Sequence, residues 1–320
     1  MNILLTSAGR RTSLLRSFIQ ATHETGGKVF AGDINGLAPT LFLADCPVQI
    51  PRVTDEQFIP KLLEIVSDNK ISLIVPTIDY DLPILASSQE EFSKKNCRLL
   101  VSSRDFVEIC SDKWQTMNVF GEKGFAVPRS WIPDNLSFED LPDSVFIKPR
   151  NGSASQNTFS VTSQDLKQIL SFVPNPIIQE NIKAKEITVD ALLDFSGQLI
   201  HYVPRLRIRA LGGESIQGLT ISDREIKEWL VEILEEIGRL GGRGPITLQA
   251  FLTESGPVLS EINPRFGGGV PLTLAAGGNY PAWVMEMMSG REVSPKLGEY
   301  KVGLYMTRHY VEIFSEEPVF

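Results

Sequence analysis

Cysteine is scarce: Cys46, Cys97 and Cys110 are the only three in 320 residues. Their number is odd, they lie far apart and no CxxC pair occurs, which excludes a disulfide framework and a structural zinc site and points to a reducing, cytoplasmic setting. Histidine is equally rare, with His23, His201 and His309 scattered, no HExxH and no grouping with Ser and Asp. His201, inside an apolar run, reads as a packing residue. Basic blocks are missing too. With 31 Lys+Arg against 39 Asp+Glu, the formal charge is −8, and no basic stripe is available to a nucleic-acid backbone. No apolar run approaches the roughly 18–20 residues that span a bilayer. The opening MNILLTSAGRR places its arginines after a short apolar run, the pattern of a strand entering a turn rather than of a signal peptide. Residues 6–11 (TSAGRR) hold one glycine where a dinucleotide fingerprint has three, and no GxxxxGK(S/T) exists.

Apolar residues make up 42% of the chain, enough for a sizeable core, and the length suggests two or three packing units. Residues 2–5, 28–32, 71–76 and 97–101 read as strands, alternating with helical patterns over 12–21, 55–69 and 79–94. That alternation predicts a doubly wound parallel sheet with ligands at its carboxyl ends, near residues 7–11, Asp33, 77–81 and 102–104. Ser111 and Asp112 are placed to cap a helix running to about 123. A strand at 145–148 runs into the small-residue loop 151–155. A strand at 158–162 and a helix at 165–172 complete a small α+β unit. From 177 onward the strands read as antiparallel: 177–182, 185–194, 199–210, 246–253, 257–263 and 301–309. Ser222 and Glu225 form a capping-box pattern. The helix it opens puts Ile226, Leu230, Ile233, Leu234 and Ile237 on one face and ends at Gly241-Gly242.

Three constellations can carry chemistry. Glu261 and Asn263 lie two apart on one strand face, with Gln249 on the partner strand and Arg265 just beyond. These oxygen donors suit Mg²⁺, which takes one or two carboxylates and completes its shell with water and phosphate. A solvated strand face with a turn at Asn263-Pro264 fits the same residues. Second, Lys148 ends an apolar strand before small residues whose amides can wrap an anion, and Lys113 opens a helix. An ordinary strand-end lysine is the alternative. Third, Arg205, Arg207 and Arg209 share one strand face, as do Glu186, Thr188 and Asp190 on the strand before. The arginines need negative charge over them, either from ligand anions or from a cross-strand salt-bridge ladder.

Taken in order, Lys113, Phe146-Ile147-Lys148-Pro149 with its small-residue loop, Ile178-Gln179-Glu180, the run from Lys185 to Asp190, and Glu261-Ile262-Asn263-Pro264-Arg265 resemble the ATP-grasp superfamily of carboxylate–amine (or thiol) ligases. The resemblance covers nearly the whole chain and is closest to single-module relatives of the carbamoyl-phosphate synthase large subunit. It implies an α/β and α+β fold: a Rossmann-like pre-ATP-grasp domain with a doubly wound parallel sheet (1–106), a small lid (107–180) and an antiparallel carboxyl-terminal domain (181–320).

The resemblance also implies roles. Lys113 and Lys148 contact ATP phosphates, with Ser153 and Ser155 in the loop that closes over them. Gln179, Glu180, Asn181 and Ile182 hold the adenine edge, and Glu186 the ribose. Gln249, Glu261 and Asn263 bind Mg²⁺, for which Mn²⁺ can substitute. Arg265 stabilises the transferring phosphoryl group, and Arg205, Arg207 and residues 212–215 face the acceptor. The expected reaction activates a small carboxylate as an acyl phosphate for attack by an amine or thiol, in a homodimer that binds neither nucleic acid nor membrane. A non-catalytic ATP-binding subunit of a larger synthase is the alternative, because the loop Gly-Ser-Ala-Ser-Gln-Asn-Thr holds fewer glycines than relatives have. Arg10, Asp33 and 79–81 are expected to set substrate specificity.

Overall fold

The computed structural model describes residues 1–152, 156–211 and 214–320. The chain opens with β1 (Asn2–Thr6), in which Ile3, Leu4 and Leu5 are fully buried, as a parallel strand covered on both faces requires. Then come α1 (Thr12–His23), β2 (Val29–Asp33), β3 (Cys46–Gln49), α2 (Phe58–Asn69), β4 (Ile71–Pro76), α3 (Leu82–Ser87), α4 (Gln89–Ser93) and β5 (Arg98–Leu99). Their strands form a parallel sheet in the order β3-β2-β1-β4-β5. The carboxyl ends of β1, β2 and β4 therefore meet on one side, presenting Ser7, Asp33 and the turn Asp79–Asp81.

In this part of the chain two elements depart from the sequence reading. β3 is an additional strand, and it contains Pro47; a proline without an N–H is tolerated there because β3 lies at the sheet edge. The single helix expected over 79–94 is a 3₁₀ turn followed by α3 and α4, broken at Ser88. The hydroxyls of Ser87 and Ser88 donate back to the carbonyls of Pro83 and Ile84, each at 2.9 Å. Such local bonds compete with the helix's own ladder.

Next come α5 (Arg104–Ser111), which the sequence reading lacked, and α6 (Lys113–Glu122). Ser103 caps the first and Asp112 the second, through side-chain oxygens accepting from the amides of Phe106 and Trp114. Ser111 is thus the end of one helix rather than a cap of the next. The small unit contains β6 (Ser130–Trp131), β7 (Ser144–Pro149), β8 (Phe159–Thr162), α7 (Leu166–Leu170) and β9 (Pro176–Glu180). Its antiparallel sheet runs β6-β9-β7-β8 over a core of Val145, Ile147, Leu166, Val173 and Ile178.

The remaining elements are β10 (Lys185–Leu193), β11 (Leu199–Leu211), β12 (Glu214–Thr220), α8 (Lys227–Arg239), β13 (Gly244–Thr253), β14 (Gly256–Asn263), α9 (Val270–Ala275), α10 (Tyr280–Met288) and β15 (Tyr305–Thr307). They build an antiparallel sheet in the order β14-β13-β10-β11-β12-β15. Leu230, Ile233, Leu234 and Ile237 of α8 are fully buried, each worth about 1.5–3 kcal/mol of apolar transfer. The expected capping box does not form. Ser222 Oγ accepts from Arg224 N at 3.2 Å, Asp223 accepts from the Tyr202 hydroxyl, and α8 starts after Ile226. His201 is buried between the Tyr280 hydroxyl and the Glu299 carbonyl, as a packing residue.

The parallel sheet and the six-stranded sheet share one core. Leu5 and Phe18 cluster with Phe266, Val270 and Tyr280, and Phe18 meets Phe266 edge-on at 5.7 Å. This packing brings the carboxyl ends of the parallel strands to the end of β14. Among the described residues no helix is long and apolar enough to cross a membrane.

Candidate active site

A cleft of about 350 Å³ opens between β7 with the segment that follows it and the polar face of β10, β11, β13 and β14. The two lysines come together on its lid side. The amide of Lys113 donates to the Arg150 carbonyl at 3.0 Å, and Asn151 Nδ2 donates to the Ser111 carbonyl at 2.8 Å. These bonds pin the start of α6 to the segment leaving β7. Lys113 Nζ then reaches the Gly152 carbonyl at 2.8 Å and Glu261 Oε1 at 3.5 Å. Lys148 is buried, 5.7 Å from the centre of the Phe146 ring. Burial pushes its ammonium from the ordinary 10.5 down to about 8; Lys113 adds to the effect, while Glu261 and Glu186 oppose it.

The oxygen donors lie on the opposite wall. Gln249 pairs directly with Glu261 across β13 and β14, and Asn263 lies two residues further on, opposite Thr247. Gln249, Glu261 and Asn263 all line the cleft with both lysines. The set holds a single carboxylate and two amide oxygens, and no cluster of three or more His, Cys, Asp or Glu occurs among the described residues. That chemistry fits Mg²⁺ arriving with phosphate oxygens that complete its shell, rather than an ion held by protein alone.

Arg265 closes the end of the cleft next to the parallel sheet. Its Nη2 donates to Asp79 Oδ2 at 2.6 Å and its Nη1 to the Phe266 carbonyl at 3.2 Å, while Nε and Asp79 Oδ1 are buried without a partner among the described residues. Asp81, two residues on, is fully buried and accepts from the hydroxyls of Thr6 and Ser7. Burial raises its carboxyl to about 6 against those two hydrogen bonds, and nearby Asp33 and Asp79 raise it further. Asp33 accepts from the amides of Gly9 and Asn35. Asp33 and residues 79–81, read from the sequence as a specificity region, therefore cluster at the carboxyl ends of the parallel strands with Asp33 and Asp81 buried, and Asp79 is the member that meets Arg265.

Of the three arginines on β11, Arg207 lines the cleft together with Glu186 and bonds its Oε1 at 3.0 Å, a cross-strand pair of the kind the salt-bridge ladder expects. Arg205 does not line it. It is 2% exposed and its Nε donates to Asp190 Oδ2 at 2.9 Å, inside the sheet. The salt-bridge ladder accounts for this arginine, and the assignment of Arg205 to the acceptor is corrected accordingly. The residues expected at the adenine lie on β9, an inner strand of the small sheet, and just after it. Gln179 Nε2 donates to Ser130 Oγ, Glu180 accepts from the amide and Nε of Arg129, and Asn181 Nδ2 donates to Ser144 and Ser160. Ile182 lies in the connection from β9 to β10. Ser153, Ser155 and the glycines at 212 and 213 lie outside the described residues.

Residues 110–269 match the family described as ATP-grasp domain, and residues 3–100 match the PylC-like, N-terminal domain. The chain belongs to the ATP-grasp family. Its sequence is 25% identical over 254 residues to the carbamoyl phosphate synthase large chain of Thermoanaerobacter pseudethanolicus, a match covering 72% of this chain and 23% of that one. The ATP-grasp chain thus spans less than a quarter of the length of the curated relatives it matches. Among solved structures, the biotin carboxylase domain of Hydrogenobacter thermophilus 2-oxoglutarate carboxylase, a dimer in complex with MgADP, superposes with a TM-score of 0.78 at 15% identity. That match covers 95% of this chain and 73% of the other. The L-amino acid ligase of Bacillus licheniformis gives 0.71 at 18% identity, covering 92% and 77%. These likenesses establish the ATP-grasp fold, with its lid sheet and antiparallel sheet facing each other across the cleft.

Proposed function

We propose that this chain is an ATP- and Mg²⁺-dependent ligase that activates a small carboxylate as an acyl phosphate for attack by an amine or thiol. The observation that carries the reading is the convergence of Lys113, Lys148, Gln249, Glu261, Asn263 and Arg265 on one cleft, from four elements and the turn after β14. In this reading residues 1–106 supply the acceptor side, 107–180 the lid and 181–320 the metal wall. Adenine lies along the backbone of 179–182, with Glu186 at the ribose. Lys113 and Lys148 hold the phosphates, and Gln249, Glu261 and Asn263 hold Mg²⁺, or Mn²⁺ in its place. When bound, the ion neutralises charge on the β- and γ-phosphates.

The chemistry needs no protein nucleophile. A carboxylate oxygen forms a bond to the γ-phosphorus as the bond to the ADP oxygen breaks, and ADP leaves with the electron pair. The amine nitrogen then bonds to the acyl carbon, phosphate departs, and the proton shed by nitrogen ends on phosphate. Arg265 and Lys148 offset the charge that develops on the phosphoryl oxygens. Exclusion of water by the lid protects the acyl phosphate until the nucleophile arrives.

The test is ADP release and hydroxylamine trapping with Mg-ATP across pools of amino acids and other carboxylates. Carboxylate-dependent ADP and hydroxamate formation supports the ligase. Tight Mg-ATP binding without release for any pool would favour a binding subunit of a larger synthase.

A further inference from the structure

One heavily bonded, buried carboxylate of the carboxyl-terminal sheet lies outside the cleft. Asp190, 1% exposed on β10, accepts from Arg205 Nε and Nη2 at 2.9 and 3.3 Å, from Thr273 Oγ1 at 2.7 Å, and lies 3.3 Å from Thr247 Oγ1. Arg205 Nη1 is buried without a partner among the described residues. A buried ion pair of this kind is weak as a source of stability, because desolvating both charges offsets most of their attraction. What the pair does organise is the stretch just after β14. A β-carbon at Gly267 would lie 2.6 Å from Thr247 Oγ1 and 2.8 Å from Asp190 Oδ1, and one at Gly269 would overlap the Arg205 guanidinium. The glycine run therefore lies directly on the ion pair.

Thr247 joins this assembly to the site. Its hydroxyl, with one proton to give, sits between Asp190 Oδ1 at 3.3 Å and the Arg265 carbonyl at 3.1 Å. Arg265 is thereby held by its backbone from below, by Asp79 at its guanidinium, and by the glycine run that follows it. Arg308 fastens the same run from the other side by donating to the Gly268 carbonyl.

We propose that Asp190 and Arg205 are positioning residues for the phosphoryl-transfer step, acting through Thr247 and residues 267–269 to fix Arg265. The inference rests on the reading of Arg265 as the phosphoryl-stabilising group. It explains why a costly buried pair, including an orphaned guanidinium nitrogen, stands beneath the end of β14. Holding a charged group within a fraction of an ångström matters at this step, since a misplacement of about 1 Å costs on the order of a hundredfold.

The test uses the full chain and needs no carboxylate substrate. Dissociation constants are measured for MgADP alone and for MgADP with aluminium fluoride, a mimic of the transferring phosphoryl group. The variants are Thr247→Val, Thr247→Ser, the apolar pair Asp190→Leu/Arg205→Met, and Arg265→Ala as reference. Wild type is expected to bind more tightly when aluminium fluoride is present, and Arg265→Ala to lose that gain. Thr247→Val and the apolar pair are expected to lose about tenfold or more of the gain while their MgADP constants stay within about twofold, and Thr247→Ser restores it. A merely structural role would move both constants together or neither. If the apolar pair fails to fold, Thr247→Val decides. Retention of the full gain by Thr247→Val, with loss in Arg265→Ala, overturns the inference alone. Retention by Arg265→Ala, or no gain in wild type, removes the reading of Arg265 and the inference with it.

Discussion

Replacing Lys148 with methionine is expected to make the nucleotide-free chain more stable and nucleotide binding weaker. Methionine matches the stem of lysine and removes the charge. Burial has moved this ammonium from 10.5 to about 8, a difference that corresponds to about 3 kcal/mol of penalty on the charged form. Below pH 8 native and unfolded chains both carry the proton, so the native state bears the whole penalty. Between pH 8 and 10.5 the native chain has shed the proton while the unfolded chain keeps it, and the penalty shrinks as pH rises. Wild type should therefore gain stability relative to Lys148→Met across that window. At neutral pH, with an unfolding entropy of about 2.1 cal/mol/K per residue, the relief over 320 residues is about 4 °C in melting temperature. Phosphate restores the charged form, so calorimetry in buffers of different ionisation heat should show about half a proton taken up per nucleotide at pH 8. Almost none should be taken up near pH 6.5. A nucleotide-free melt that falls in Lys148→Met, or Mg-ATP protection that survives it unchanged, would refute the argument.

Other consequences are simpler to check. Glu261→Gln removes the single carboxylate of the oxygen set, so thermal protection by ATP should lose its dependence on Mg²⁺; unchanged dependence would dismiss the metal assignment. Gly269→Ala drives a methyl into the Arg205 guanidinium and should cost about 1–3 kcal/mol in urea unfolding, whereas no loss would mean that the glycine run does not lie on the ion pair. Cys97 is buried and its thiol is pushed up by that burial to about 12, so an aromatic disulfide reagent at pH 8 should leave it unlabelled in the native chain and label it after denaturation. Rapid labelling of all three native thiols contradicts the burial.

The legible part of the site was the part written in short spacings. Glu261 and Asn263 on one strand face, and Lys148 at the end of an apolar strand, follow from the two-residue period and from the lysine's surroundings in the chain. The arginine face was equally visible at Arg205, Arg207 and Arg209. Which of them reaches the cleft depends on register, and Arg205 stands opposite Thr188 with Asp190 two residues away, a pairing no local pattern encodes. The bond from Arg265 to Asp79 joins residues 186 apart in sequence and exists because α1 packs against the carboxyl-terminal helices. Strand β3 escaped notice because Pro47 reads as a breaker until the edge position is known. The helix over 79–94 was overextended because the back-bonding of Ser87 and Ser88 is a choice the backbone makes only in context.

The central claim, that the cleft makes an acyl phosphate, is tested most directly with a mixture of carboxylates labelled with ¹⁸O at both oxygens. The full chain is incubated with Mg-ATP and a mixed pool of amines, and the inorganic phosphate is analysed by mass. The expected product is phosphate carrying one ¹⁸O derived from the carboxylate, formed together with ADP and absent in Glu261→Gln. Phosphate released without label, in step with ADP, would contradict it, because the γ-phosphoryl group would then have passed to water rather than to a carboxylate.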